Sequence, residues 1–287
     1  MKKIIFIVWK ILIPLMLLIV LPLSPIFLFD SKMTNIGLQI LLKNEREYNL
    51  AIEMLKYLNI NITYLFSILI LIILLNFFKK QNKDRIFNSN SNIYYNFYYA
   101  LFWIASNILG YDKIQLAGIP IQMQYKIVLR STFNSIVPDM WMEHYDEVPD
   151  GVEVTLDSII VNDPKKINFI ISDTYFLKDE EIDAEYNTNS VIRITSNLSD
   201  RRYVNKELVQ KTREAIQLVR EKGYKEIFIF STANPQNNLN IINSSFRFFG
   251  RFVDFKVFVI QKNEEKCFFK KYNREKKLKY EKKYRII

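Results

Sequence analysis

The sequence predicts two N-terminal transmembrane helices followed by a mostly parallel α/β domain. Three observations carry that expectation. Two stretches of 19 residues, Ile11–Phe29 and Ile60–Phe78, contain no charged side chain. From Ile167 onward, strand-type and helix-type apolar patterns alternate along the chain. Segments such as Ile227–Phe230 are apolar at every position, as in strands covered on both faces.

At about 1.5 Å rise per residue, each uncharged run approaches the roughly 30 Å hydrocarbon thickness of a bilayer, so flanking residues must complete the span. Lys10 and Asp30 close the first run, and Lys79, Lys80, Lys83 and Arg85 follow the second. Met1-Lys2-Lys3 resembles the charged start of a secretory signal, but LPLSPIFLFD offers no small-x-small cleavage pattern, which favours an uncleaved anchor. Pro14, Pro22 and Pro25 are tolerable in a membrane helix whose neighbours satisfy the freed carbonyls. Basic residues at the outer ends of both runs place both termini in the cytoplasm, although the connecting loop carries Lys32, Lys43, Arg46 and Lys56. A lone cysteine, Cys267, has no partner for a disulfide and suits an intracellular domain.

Beyond the second run, QNKDRIFNSNSN reads as a polar linker. The 17 residues Ile93–Leu109 are uncharged but rich in Tyr and Trp, which suits an interfacial helix, or one packed on the domain, better than a third span. Then come strand INFIIS, short helix LKDEEIDAE, strand SVIRITS, long helix VNKELVQKTREAIQLVREK, strand EIFIFS, a helix over Asn238–Phe249 and a final strand from Asp254. In the long helix Val204, Leu208, Ala215, Ile216 and Val219 form the apolar stripe, and Gly223 is the stop.

In open parallel sheets, ligands bind at the carboxyl ends of strands, where loops lead into helix N-termini. Two strand ends are polar here: Ser172, Asp173, Thr174 and Tyr175 follow one, and Ser231, Thr232, Asn234, Pro235 and Gln236 follow the other. They present hydroxyls, amides and backbone donors suited to a nucleotide or another anion, and equally suited to capping helices. Catalytic chemistry is thin. His144 is the single histidine, neither GxxxxGK[ST] nor GxGxxG occurs, and only Asp173, His144 and Asp146 are arguable catalytic groups. Neither a cofactor nor a metal site is expected; the run Asp179, Glu180, Glu181, Asp183 and Glu185 reads as a solvated face before a cation site. Of the net charge of +10, +7 falls between Lys262 and Ile287 (eleven Lys and Arg, four Glu), which suits a solvated tail or attraction to anionic headgroups.

Three segments in order carry a resemblance. LAGIPIQMQYKI, INFIISDTY and LVQKTREAIQLVREKGYKEIFIFSTANPQ are similar to successive stretches of the SAVED domain, a CARF-related, Rossmann-like sensor, over about 114–261. Two departures are a missing glycine after Ile119-Pro120 and Ser244-Ser245 where a glycine is often found. The resemblance implies a bacterial anti-phage effector of the CBASS type, non-enzymatic, that senses a cyclic oligonucleotide, oligomerises and disrupts the inner membrane, with no DNA or RNA polymer as partner. It divides the chain into a two-helix membrane region (1–80), a linker with an aromatic helix (81–113), the sensor (114–261) and a basic tail (262–287). It adds Ile119, Pro120 and Gln122 to the expected ligand contacts at the two polar strand ends. A membrane-bound transferase using a nucleotide-activated substrate, or a membrane scaffold, remain the alternative readings.

Overall fold

The computed structural model describes residues 2–28, 31–58, 61–90, 93–140, 146–148, 153–161, 165–196, 202–248, 251–252, 255–262 and 279–286. The chain divides into two units, Met1–Phe87 with Ala100–Lys113, and Asn88–Tyr99 with Ile114–Ile287.

The first unit is helical: α1 (Lys2–Leu28), α2 (Ser31–Leu41), α3 (Glu45–Tyr57), α4 (Ile62–Asn82) and α5 (Tyr99–Ile108). α1 and α4 are longer than the uncharged runs that announced them, because the flanking lysines continue the helices; at 1.5 Å per residue both exceed roughly 30 Å. α1 accommodates Pro22 and Pro25 inside its helical stretch. The ring of Phe6 meets Phe87, just beyond the end of α4, at 5.3 Å. The start of α1 therefore lies beside the end of α4, and the two form an antiparallel hairpin. The connector, expected as a loop, folds into α2 and α3, with Asn44 capping α3 by accepting from Arg46 N at 3.0 Å and Asn61 capping α4 by accepting from Thr63 N at 2.9 Å.

The aromatic segment Ile93–Leu109 is only partly helical. α5 has ten residues, so at about 15 Å it is half a bilayer core in length. Leu109 O accepts from Asn82 Nδ2 at 2.8 Å, and Gly110 has φ +78°. A Cβ at Gly110 would lie 2.4 Å from the Lys79 Cα, so only glycine permits this approach.

The second unit is built on a six-stranded sheet. Its strands are β3 (Val154–Ile159), β4 (Lys166–Ser172), β5 (Ser190–Ser196), β6 (Glu226–Ser231), β9 (Lys256–Lys262) and β10 (Tyr280–Arg285), after the small pair β1 (Lys113–Gln115) and β2 (Ser135–Val137). Between β6 and β9 lies another small pair, β7 (Arg247–Phe248) and β8 (Arg251–Phe252). The order is β10-β9-β6-β4-β5-β3. The inner four strands are parallel, whereas β3 and β10 run antiparallel at the two edges, so the sheet is mixed. β10 corrects one expectation: part of the basic segment after Lys262 is an edge strand rather than tail.

Helices α6 (Ile121–Leu129), α7 (Lys206–Glu221) and α8 (Pro235–Ile241, continued by a π turn to Phe246) cover one face. Tyr125, Leu208, Ala215, Ile216, Val219, Ile241 and Phe246 pack there against Ile167, Phe169, Ile227 and Val257. α7 stops before Gly223, as its pattern requires. The helix expected over Asn238–Phe249 starts earlier, at Pro235, because proline at the first turn costs no hydrogen bond, and it gives way to β7 at Arg247. On the other face, the segment expected as a short helix forms two 3-10 turns, Asp179–Glu181 and Ala184–Tyr186. Leu177, Ile182 and Tyr186 pack there on Ile170, Phe228, Phe230 and Phe258.

Candidate functional site

β5 and β6 lie on opposite sides of β4. The chain therefore leaves β4 and β6 in opposite directions, and the carboxyl ends of these two strands form the topological switch point where doubly wound sheets take ligands. Both polar strand ends singled out in the sequence meet there. The meeting is close. Thr232 N donates to Ile171 O at 2.9 Å, and Thr232 Oγ1 accepts from Asp173 N at 2.9 Å and donates to Tyr175 O at 2.9 Å. Thr174 Oγ1 donates back to Thr232 O at 2.6 Å, and Ser172 Oγ accepts from Leu177 N at 3.3 Å.

Asp173 is the centre of a buried polar network. Its Oδ2 accepts from Asn237 Nδ2 at 2.8 Å, from Asn234 N at 3.2 Å and from Asn234 Nδ2 at 3.4 Å, and its Oδ1 accepts from Ser196 Oγ at 3.3 Å. Asn237 Oδ1 in turn accepts from Asn205 N, and Asn205 Oδ1 caps α7 through Leu208 N at 2.8 Å. Burial pushes the Asp173 carboxyl above the ordinary carboxylate range, although the donors from Asn237, Asn234 and Ser196 pull the other way.

A second branch runs to α6. Asn238 Nδ2 donates to Gln124 Oε1 at 3.1 Å and to Ala233 O at 3.0 Å, and its Oδ1 accepts from Ser231 Oγ at 3.2 Å. Gln124 Nε2 then donates to Ile119 O at 2.8 Å, fixing the turn that ends in Pro120. Gly118 makes that turn possible with φ +74°.

Of the expected site residues, Ser172, Asp173, Ser231, Thr232, Asn234, Ile119, Pro120 and Gln122 are buried. All of these but Gln122 belong to the network or to the turn it holds. Thr174, Pro235 and Gln236 are partly exposed, and Tyr175 is 40% exposed. Asn234, expected as a ligand contact in a polar loop, is instead 2% exposed, caps α8 by accepting from Asn237 N at 2.9 Å, and holds Asp173. Among the described residues, four buried polar atoms on these elements have no partner: Gln122 Oε1 and Tyr125 Oη on α6, Thr195 Oγ1 near the end of β5, and Asn205 Nδ2 at the cap of α7.

The sequence reading missed the aromatic and cationic group beside Thr174. Tyr175 Oη is 2.9 Å from Tyr280 Oη, and Lys262 Nζ lies 5.5 Å and 5.1 Å from the two ring centroids. Lys262 also pairs with Glu181 at 2.8 Å. Tyr280 and Lys262 come from a segment read as tail, over 80 residues away in sequence, and no local pattern links them to Tyr175. Asp179, from the acidic run, pairs with Arg193. His144 lies outside the described residues, and the main chain of Asp146 accepts from Val204 N at 2.8 Å.

A groove of about 620 Å³ lies on the opposite sheet face, lined in part by Asp157, Asp179, Glu180 and Arg193. Three carboxylates against one guanidinium disfavour a polyanion there.

Against this geometry, a family profile described as the SMODS- and Ubiquitin system-associated 2TM effector domain (SUa-2TM) matches residues 1–286. The chain belongs to that family. In this 2TM effector domain the two apolar hairpin helices are the part the family description names. A comparison with curated proteins returns no match. Among solved structures, the Acinetobacter baumannii Cap4 SAVED/CARF-domain containing receptor with the cyclic trinucleotide 3'3'3'-cAAA is similar at 10% identity and TM-score 0.40, covering 57% of this chain and 39% of the receptor. The same receptor with 2'3'3'-cAAA gives 11% identity and TM-score 0.39, again over 57% and 39%. This 2TM effector thus overlaps well under two thirds of that receptor, and the overlap fixes no residue correspondence.

Proposed function

We propose that this chain is a non-enzymatic membrane effector whose sheet unit binds a cyclic oligonucleotide at the carboxyl edge of β4 and β6. Ligand binding favours homo-oligomerisation, and the assembled hairpins disrupt the bilayer they span, the inner membrane of a bacterium with the sheet unit in the cytoplasm. The observation that carries this reading is the switch point itself, where the polar ends of β4 and β6 meet. Because Thr232 and Asp173 close the crevice with their own hydrogen bonds, the ligand meets its outer rim, Thr174, Tyr175, Pro235 and Gln236. Tyr175 offers a ring for base stacking beside the Lys262 ammonium.

Family membership as a 2TM effector and the SAVED resemblance of the ordered motifs support the same reading. For ligand to drive assembly it must bind the assembled state more tightly than the single copy; equal affinity would shift nothing.

The test is a titration of the full chain in nanodiscs with cyclic di-, tri- and tetranucleotides, the tri-adenylates included, followed by dye leakage from proteoliposomes. One member of the panel is expected to bind and to trigger leakage, and Tyr175→Ala to weaken binding about tenfold or more in protein that still unfolds cooperatively. Binding by none of the panel overturns the ligand; binding without leakage overturns the effector step.

A further inference from the structure

The connector between the two long helices is divided by face in a way the spans alone do not explain. On α2, Thr34 and Leu38 are buried at i, i+4 spacing, while Gln39 is exposed and Asn35 partly so. A separate row, Met33, Ile36 and Ile40, is apolar and more than half exposed. α3 repeats the scheme. Tyr48, Ala51, Ile52 and Leu55 are half-buried within the unit, Asn49, Glu53 and Lys56 form an exposed polar row, and Leu50, Met54 and Tyr57 form an exposed apolar row. A helix between protein and water needs two faces; these have three.

What covers the third face follows from tethering. The chain from Leu28 to Ser31 reaches at most about 10 Å, and from Tyr57 to Ile62 at most about 17 Å, so neither helix can move far from the surface where α1 and α4 emerge. Exposed Phe27 and Leu28, at the end of α1, continue the apolar surface directly toward α2. The connector's charges nearly balance, Lys32, Lys43, Arg46 and Lys56 against Glu45, Glu47 and Glu53, so an electrostatic partner is not what the surface selects.

We propose that α2 and α3 lie in the bilayer interface, their third faces sunk into the boundary between headgroups and acyl chains of the leaflet where α1 ends and α4 begins. The connector is thus a lipid-embedded wedge that adds area to one leaflet, and gathered copies concentrate that asymmetry. The inference goes beyond the effector reading and rests on α1 and α4 crossing the membrane.

Site-directed spin labelling of the full chain in phosphatidylcholine proteoliposomes tests it. In a Cys267→Ser background, Ile36→Cys, Ile40→Cys, Leu50→Cys and Met54→Cys sample the third faces, Gln39→Cys, Asn49→Cys and Glu53→Cys the polar faces, and Leu17→Cys and Ile72→Cys the spans. The third-face labels are expected to collide severalfold more with dissolved oxygen than with a water-soluble nickel chelate, and the polar-face labels the reverse. Third-face labels as open to the chelate as Glu53→Cys, with the span labels still lipid-exposed, overturn the wedge alone. Shielding from both reagents also overturns it, because another protein surface then covers the face. Chelate access at Leu17→Cys and Ile72→Cys overturns the spanning reading together with the wedge.

Discussion

The two units use the same residue types in opposite ways. In α1 and α4, Leu17, Ile19, Val20, Ile68, Ile72 and Phe77 are exposed, whereas in β4 and β6 Ile170, Ile171, Ile227 and Phe230 have essentially no exposure. At about 25 cal/mol per Å² of apolar surface, the sheet unit gains by folding what the hairpin can gain only by leaving water. The sheet carries its apolar solvent within itself; the hairpin must find its own in lipid. Polar groups follow the same division. The sheet unit buries Asp173, Asn205, Asn234, Asn237 and Asn238 at a cost met by mutual hydrogen bonds, while α1 carries Lys2, Lys3 and Lys10 in its first third and α4 carries Lys79 and Lys80 in its last turn.

The largest expected effect breaks one side of this comparison and spares the other. Phe230→Ala removes a wholly buried ring from between Tyr186 and Tyr280, and should destabilise the sheet unit by about 3–5 kcal/mol. Thermal unfolding of the full chain in nanodiscs would register the loss, while the membrane fraction stays constant. The converse variant is Leu17→Lys, which puts a charge on an exposed position of α1 and should cost about 2.5–3.5 kcal/mol of insertion. Alkaline carbonate extraction would then release protein whose sheet unit melts as before. If both variants lowered both readouts equally, the two units would not be energetically separate.

Asn234→Ala is expected to come next, at about 1–3 kcal/mol of folding stability, because it deletes the α8 cap and a donor to Asp173. Chemical denaturation of the variant measures this, and an unchanged midpoint would return Asn234 to the role of a loop amide. The smallest effect is the pH slope. The folded carboxyl of Asp173 holds its proton more tightly than the unfolded one, so its contribution is present at pH values below the ordinary carboxylate range and is lost as pH rises through the raised value. The Asp173 part of the pH dependence should therefore fall from about pH 4 upward, opposite in sign to that of Glu181, whose carboxyl is lowered, and Asp173→Asn should remove that falling part. Parallel pH profiles for the two proteins would assign the dependence to other groups.

Within this chain, local pattern and tertiary placement divide cleanly. The uncharged runs fixed the two long helices, since no other solvent accepts so many consecutive apolar side chains. The apolar runs and the α7 stripe fixed the inner strands and their covering helix, because periods of 2 and 3.6 are properties of neighbouring residues. Ser172–Tyr175 and Ser231–Gln236 were legible as polar strand ends, and the parallel reading of their strands put them on one edge. Only the folded chain decided that Asp173 would draw Asn234, Asn237 and Ser196 into a buried network. It also decided that β10 would pair antiparallel with β9 and bring Tyr280 to Tyr175, and that α2 and α3 would each have three faces. Those outcomes depend on pairing between segments far apart in the chain, and loop-closure entropy is the same for many such pairings. Which pairing wins is set by burial and hydrogen-bond satisfaction summed over the whole unit, a quantity that no local window of sequence contains.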